Sequence, residues 1–383
     1  MTPLAMTPAG IIALSALGGC GKKAEVEVVA PPKAKVPARI SEADLKKYKP
    51  NESGAIMVLM YHRINAKESD NNLNRRPDSF RRDLEMLHAR GYYPVTVSEL
   101  VGNTMDVPIG KTPIALTFDD ALPTQFQLKV GADGALKIDR DCAVGILEKF
   151  HTQHPAWPAK ATFFVLPKAG RNSDPFGQAE YVADKFTHLM KNGSEIANHT
   201  ATHSNMHSMS ADKVRWELAT AARDIRAIAP AAAIQTMALP YGKLPRNEAA
   251  RKALIEGQQG GTKYQHKAVF LAAWRPVLSP VTRPDKTLAQ GGTFCVFDPF
   301  RLERITPNPR QAKLPGTFEY WMKYFAANPT QRYISDGNAQ IVAVPAAQQS
   351  AIDAARVRAQ GKTLQAYGGA SKGSKTGGSL SVE

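Results

Sequence analysis

What the 383-residue sequence lacks excludes several classes of protein. Apart from one short patch near the N-terminus, it contains no run of the roughly 20 apolar residues that cross a bilayer as a helix. It has no GxGxxG pattern and no GxxxxGK pattern followed by Ser or Thr, so nothing supports a nucleotide site. With 43% hydrophobic residues, the chain is long enough for one large domain with a buried core.

Cysteine is also scarce, and an odd number does not fit a disulfide framework unless one residue has a separate role. The three cysteines are Cys20, Cys142 and Cys295. Residues 10–20 read GIIALSALGGC and resemble a bacterial lipoprotein signal, although no Lys or Arg precedes the apolar stretch. We therefore expect lipidation at Cys20 and export to the bacterial cell envelope, anchored at the membrane or in the periplasm, with secretion as the alternative. Whether Cys142 and Cys295 pair stays open.

The formal net charge of +15 invites a nucleic-acid interpretation, but the distribution of charge argues against it. Residues 21–50 carry eight Lys or Arg against four acidic residues, and residues 354–383 carry five against one. These flanks supply +4 each, about half of the excess. We expect no nucleic-acid partner, and the remaining charge suits an anionic cell envelope.

The chain divides into four predicted regions. The first, 1–20, is the signal segment, and 21–52 is a linker rich in Pro and Lys, expected to be an extended tether. A single catalytic domain occupies 53–345. Residues 346–383 are predicted to form a helix and then a Gly/Ser/Lys-rich disordered tail. The domain is expected to be a monomer with disordered flanks.

Within 53–345, strand-like and helix-like patterns alternate. Apolar runs at 56–61, 113–118 and 161–166 are typical of buried parallel strands. Shorter strands are predicted at 94–97, 195–198, 234–239 and 268–272. Repeated strand–helix units indicate an α/β fold with a parallel sheet and helices outside. About seven units fit a (β/α) barrel, with an open doubly wound sheet as the alternative.

Polar residues that can carry chemistry follow several of these predicted strands. Asp119 and Asp120 follow 113–118, His199 and His203 follow 195–198, and His62 follows 56–61. The 234–239 strand is followed by Pro240 and Tyr241. In a parallel barrel the carboxyl ends of the strands share one rim, where catalytic groups converge. We expect these side chains to form one site.

The histidine spacing indicates a metal site. His199 and His203 are four residues apart, so on a helical turn both imidazoles face the same way. A carboxylate from another strand would complete a His₂Asp set with an open position, as in catalytic zinc sites. Zinc proteases with this spacing place Glu after the first His, but Thr200 stands here and cannot act as a base. Asp119 and Asp120 point apart in extended backbone, so one can bind the metal while the other acts as the base.

Four motifs in this order resemble the polysaccharide deacetylase family, carbohydrate esterase family 4, over roughly 53–310. They are TFDD at 117–120, ATFFVL at 161–166, HTATH at 199–203 and LPYG at 239–242. The resemblance implies a distorted (β/α)₇ barrel and a divalent metal, with zinc as the expected ion. It also implies that Asp119 is the general base, that Asp120, His199 and His203 bind the metal, and that the Tyr241 N–H helps to bind the oxyanion.

The string VLMYH at 58–62 looks like the start of the circularly permuted poly-β-1,6-N-acetylglucosamine deacetylase branch. This implies that His62 is the general acid; a buried structural histidine is the alternative. The family has an Arg two residues before the Pro of the PYG motif, where this chain has Ala238, so Arg304 or Arg275 is expected to replace it. Pro240 and Trp274 are assigned to substrate contact, with Trp274 as the Trp of the family's Asp/Trp motif.

The expected function is N-deacetylation of N-acetylglucosamine units in an extracellular or cell-wall polysaccharide. O-deacetylation on the same fold, as in acetylxylan esterases, stays open because it needs the same metal and base. A catalytically silent glycan-binding protein is a further alternative, and it should have lost the metal ligands, which this sequence retains. The expected partners are the acetylated polysaccharide and, through the lipid anchor, the membrane.

Overall fold

The computed structural model describes residues 39–167, 174–284, 292–308 and 313–369. The predicted signal with Cys20, most of the predicted linker and the residues after 369 lie outside the described residues. None of the helices in the described ranges combines the length and the apolar character that a membrane span needs.

The strands and helices alternate through most of the chain. The strands are β1 (Ala55–Tyr61), β2 (Arg63–Ile64), β3 (Asn74–Arg75), β4 (Tyr92–Val95), β5 (Thr112–Asp119), β6 (Leu128–Val130), β7 (Leu136–Ile138), β8 (Thr162–Val165), β9 (Glu195–Asn198), β10 (Thr236–Ala238), β11 (Glu256–Gln259), β12 (Thr262–Gln265), β13 (Ala268–Phe270), β14 (Val277–Leu278), β15 (Ile341–Pro345) and β16 (Thr363–Tyr367). The helices are α1 (Glu42–Tyr48), α2 (Pro77–Ala89), α3 (Val97–Gly102), α4 (Ala143–Gln153), α5 (Val182–Lys191), α6 (Ala211–Ile228), α7 (Glu248–Ile255), α8 (Phe318–Ala327) and α9 (Ala354–Ala359).

The main sheet closes into a barrel of parallel strands. Strands β1, β5, β8, β9, β10 and β13 pair in that order, all parallel. The short segment 302–305 completes the ring, since Leu302 forms a parallel bridge to Phe270 of β13 and Ile305 to Leu59 of β1. The Met60 N–H donates to the Ile305 carbonyl at 2.8 Å. The predicted (β/α)₇ barrel is confirmed, and the open doubly wound sheet is excluded.

The strands are buried because they are apolar along their whole length. All residues of β1 and of β5 are buried, as the continuous apolar runs predicted. The outer helices bury one face each. On α6, which Ser210 caps, Val214, Leu218 and Ile225 face the sheet at helical spacing. Strand β4 pairs with the first half of β5 and β8 with its end, which distorts the barrel.

Both edges of the predicted domain differ in the structure. Residues 42–48, expected within the linker, form helix α1, because Ser41 caps it and Leu45 is buried against Ile341 and Ala343. Beyond 346, the predicted helix is present as α9, but it is followed by strand β16, which pairs in parallel with β15. The linker assignment of 42–52 is therefore wrong.

The two cysteines in the described residues, Cys142 and Cys295, are free thiols, and both are buried. Burial raises the pKa of each thiol, that of Cys295 to about 11, so both are un-ionised at neutral pH. They act as small core residues and form no disulfide.

Candidate metal and catalytic site

The carboxyl ends of the barrel strands open into a cavity of about 400 Å³. Seven residues singled out from the sequence line it: His62, Asp119, Asp120, His199, His203, Tyr241 and Arg304. They come from the ends of β1, β5, β9 and β10 and from the barrel-closing segment 302–305. The shared rim of a parallel barrel therefore brings together residues that lie up to 242 positions apart in the sequence.

The two residues assigned to substrate contact do not line this cavity. Pro240 is buried in the short 3₁₀ turn Pro240–Gly242 that follows β10. The Trp274 side chain is 60% exposed, and its backbone carbonyl accepts a hydrogen bond from the Trp321 indole at 2.6 Å. The assignment of Pro240 and Trp274 to substrate contact therefore stays a prediction.

Asp120, His199 and His203 form a cluster that could hold a metal ion. One ligand atom from each lies within 4.8 Å of the others. The Asp120 Oδ1 atom is 3.5 Å from His199 Nε2 and 3.4 Å from His203 Nε2. This was the only such group of three or more His, Cys, Asp or Glu side chains in the described ranges.

The donor set fits a divalent cation of the zinc type. The His199 Nδ1–H donates to the Ala238 carbonyl at 2.9 Å, which fixes the ring and leaves Nε2 as the ligand atom. Within the described residues, this buried Nε2 has no hydrogen-bond partner. Two imidazole nitrogens and one carboxylate oxygen are the set that catalytic zinc takes when it keeps an open position.

The spacing of the two histidines suggested a helical turn, but the structure has none at this place. Residues 199–203 form an irregular loop after β9, with φ of +70° at Thr200 and +56° at His203. Left-handed backbone at a non-glycine residue is uncommon and costs free energy. Asp120 and Tyr241 share this feature, with φ of +79° and +59°. Strained backbone is thus concentrated around the cluster.

Asp119 is held by Arg304. Two guanidinium nitrogens donate to its carboxylate, Nη1 to Oδ1 at 2.5 Å and Nη2 to Oδ2 at 2.7 Å. Arg304 also donates to the Leu271 carbonyl and the Thr117 hydroxyl, both at 3.2 Å. Burial alone would raise the pKa of Asp119, but Arg304, together with His199 and His62, holds the pKa of this carboxyl below its usual range.

Arg304 therefore takes the role of the family's motif arginine, whose position in this chain holds Ala238. Its guanidinium is fully buried, and its central carbon lies 5.1 Å from the centre of the Phe164 ring. The other candidate, Arg275, instead forms an ion pair with Glu303.

His62 lies beside the carboxylate, with its Nε2 atom 3.9 Å from Asp119 Oδ2. Burial lowers the pKa of His62, although Asp119 and Asp120 act in the opposite direction. The Gln125 side-chain amide donates to the backbone carbonyls of both His62 (2.9 Å) and Asp119 (2.6 Å). Gln125 thereby ties the ends of β1 and β5 together.

Sequence reasoning missed several residues of the site. Gln125 lies in the loop after β5 and gives no signal in the sequence. Glu217, which contacts the loop of the two histidines, could have been found, because it is a charged residue on the apolar face of α6. Asn72 and Leu73 form part of the cavity wall, and they lie in a loop between β2 and β3 with no recognisable pattern.

The fold and the site define a class before any comparison: a parallel (β/α) barrel whose rim carries a buried carboxylate beside a His₂Asp cluster. Residues 153–256 match the family model of polysaccharide deacetylases. The resemblance of the chain's motifs to this family is thus confirmed. His199 and His203 lie inside the matched range.

One curated relative and two solved structures illustrate the similarity. A chitooligosaccharide deacetylase of Bradyrhizobium sp. (strain ANU 289) is 31% identical over 136 residues, which cover 35% of this chain and 48% of that protein. The chain thus spans about half the length of this relative. The Streptococcus pyogenes deacetylase PplD, in complex with acetate, is 19% identical with a TM-score of 0.46, covering 66% of this chain and 93% of that one. IcaB from Ammonifex degensii is 18% identical with a TM-score of 0.41, covering 67% and 94%.

Replacing Arg304 tests the buried ion pair. We expect Arg304→Met to lower the free energy of unfolding by about 3–5 kcal/mol, because it leaves the Asp119 carboxylate buried and unpaired. Arg275→Met is the control, since its pair with Glu303 is more exposed and should cost less. Denaturant unfolding of both variants measures the difference. Equal losses would show that burial of the Arg304 pair adds nothing to stability.

Proposed function

We propose that this protein is a metal-dependent N-deacetylase that removes acetyl groups from N-acetylglucosamine units of an extracellular or cell-wall polysaccharide. The observation that carries the proposal is the position of Asp119. An ionised carboxylate, oriented by Arg304, adjoins the His₂Asp cluster in one cavity. The polysaccharide deacetylase segment in the chain supports the same chemistry.

A divalent cation held by Asp120, His199 and His203 would polarise the acetyl carbonyl and make water easier to deprotonate. Asp119 then takes a proton from the attacking water. Its low pKa keeps the carboxylate ionised at neutral pH, and Arg304 keeps it from rotating away. We assign to the Tyr241 backbone N–H the donation of a hydrogen bond to the oxygen on which negative charge develops.

In the second half of the reaction the bond to the sugar nitrogen breaks. His62, in its protonated form, donates a proton from Nε2 to this nitrogen, so that the products are acetate and a free amine. The proton that Asp119 took from water then restores the protonated histidine. An amine leaves poorly without a proton, whereas a sugar hydroxyl leaves more easily. A histidine within 4 Å of the base therefore favours amide over ester cleavage. A silent glycan-binding protein is disfavoured because no member of the ligand set is missing.

The proposal extends to location. The lipoprotein-like segment that ends at Cys20 supports attachment to the cell envelope, where acetylated polymers lie. We expect Cys20→Ala to move the protein from the membrane fraction to the soluble exported fraction without loss of activity. Immunoblots of the two fractions measure the shift. An unchanged distribution would contradict lipid anchoring at Cys20.

Acetate release is the direct test of the function. We expect the purified protein with zinc to release acetate from N-acetylglucosamine oligomers, and to release much less from O-acetylated xylan. Removal of the metal with a chelator, or His199→Ala, should abolish release. His207→Ala is the matched control, since His207 contacts the Leu244 carbonyl and lies outside the cluster. Release that survives chelation, or no release from any glycan, would overturn the proposal.

Two kinds of substrate distinguish a catalytic role of His62 from a structural one. We expect His62→Ala to slow turnover of N-acetylglucosamine oligomers by roughly 10²–10⁴-fold, the usual range for losing an acid catalyst. Aryl acetates should be affected much less, because a phenolate departs without a proton. Zinc content should not change. If both substrates slow equally and the melting temperature falls, His62 has a structural role instead.

A further inference from the structure

A buried carboxylate anchors the loop that carries both histidines of the cluster. Glu217 lies on α6 and is 1% exposed. Its Oε2 atom accepts hydrogen bonds from the backbone N–H groups of Ala201 (3.0 Å) and Thr202 (2.9 Å). Its Oε1 atom accepts from the Thr202 hydroxyl at 2.5 Å. Both partners lie between His199 and His203.

Every amide of this loop has an acceptor. Besides the two bonds to Glu217, Asn198 Oδ1 accepts from the Thr200 N–H at 2.8 Å, and Thr200 Oγ1 accepts from the His203 N–H at 3.1 Å. These last two acceptors belong to the strand end and the loop itself. His199 itself is held by the Val165 carbonyl, which accepts from its N–H at 3.0 Å, and by the Ala238 carbonyl. Among the acceptors of residues 200–203, Glu217 is the one that comes from a different element, so it holds the part of the loop between the two histidines in place.

The loop needs such an anchor. Two of its residues, Thr200 and His203, have left-handed backbone, which persists only when surrounding contacts hold it. A carboxylate suits the task because it only accepts hydrogen bonds and can take several at once. In the described part of the chain, the hydrogen bonds to Glu217 come from neutral donors. Burying a charge with neutral partners is costly, so the position is not one that packing alone would favour.

We propose that Glu217 is a positioning residue of the metal site. It holds the loop so that the Nε2 atoms of His199 and His203 both approach Asp120 Oδ1, at 3.5 and 3.4 Å. This inference rests on the proposed function, because it takes the cluster to bind a divalent cation. Glu217 does not touch the cation or the substrate, and it acts through the backbone between the two histidines.

Zinc affinity is the property to measure. We expect Glu217→Gln to weaken zinc binding about 10–100-fold, the usual cost of losing a supporting contact around a metal site. Glutamine keeps the shape, but its NH₂ group faces a donor where the carboxylate oxygen had accepted. Thr202→Val is a milder second variant, which removes the hydroxyl donor alone and should weaken binding less.

Glu195→Gln is the matched control. Glu195 lies at the start of β9, at the opposite end of the strand from His199, and it too is a carboxylate that accepts from neutral groups, including the hydroxyls of Ser98, Thr162 and Thr236. We expect this variant to lose stability but to keep the zinc affinity of the parent protein. Isothermal titration with zinc and thermal unfolding are run on all variants.

The possible results distinguish a failure of the role proposed for Glu217 from a failure of the proposed deacetylase function. If Glu217→Gln and Glu195→Gln bind zinc equally well, Glu217 serves stability alone and the inference is wrong. If the parent protein binds zinc but releases no acetate, the proposed function fails, and the affinities of the variants still decide the role of Glu217. A parent protein that binds no zinc would overturn both.

Discussion

The ion pair between Arg304 and Asp119 is the interaction on which the site depends. Asp119 ends β5, whereas Arg304 lies in segment 302–305, and β1 lies between these two strands in the barrel. The pair therefore requires segment 302–305 to be docked beside β1. A buried carboxylate without this cation would be costly, and burial would favour its protonated form. Arg304 thus allows the proposed base to be buried at the rim and still remain ionised.

Other contacts of the site join strands that are direct neighbours in the sheet. Gln125 joins the ends of β1 and β5, and the His199 ring is fixed by the carbonyl of Ala238 on the neighbouring strand β10. Each contact joins adjacent or nearly adjacent strands, and together they run round the rim. Left-handed backbone at Asp120 and Tyr241 is tolerated here because each residue closely follows a buried strand of the barrel, which holds it in place. The free energy that this costs is offset by the buried barrel beneath.

The sequence predicted the parts of the structure that depend on apolar runs and on strand ends. Buried strands such as β1 and β5 are continuous apolar segments, and the rim position of a residue after a strand follows from parallel pairing. Segment 302–305 escaped prediction because it is short and holds two charged residues, Glu303 and Arg304, so it lacks a strand pattern. The loop of the two histidines was predicted as helical because a spacing of four fits a helix as well as a tight loop. Helix α1 was not predicted because the Pro- and Lys-rich composition around it is typical of a linker.

The position of Arg304 shows why motifs alone describe this site incompletely. A carboxylate at the rim needs a cation within hydrogen-bond distance, but the electrostatic requirement does not specify from which strand the cation comes. In this chain the motif position holds Ala238, whose backbone carbonyl instead orients His199. The guanidinium reaches Asp119 from the barrel-closing segment, and Phe164 and the Leu271 carbonyl fix its position. Glu217 follows the same logic, because a helix outside the motif supplies the acceptor that the loop of the two histidines requires. The chemistry is determined by where charges and acceptors meet at the rim, and the closed barrel allows several sequence positions to supply them.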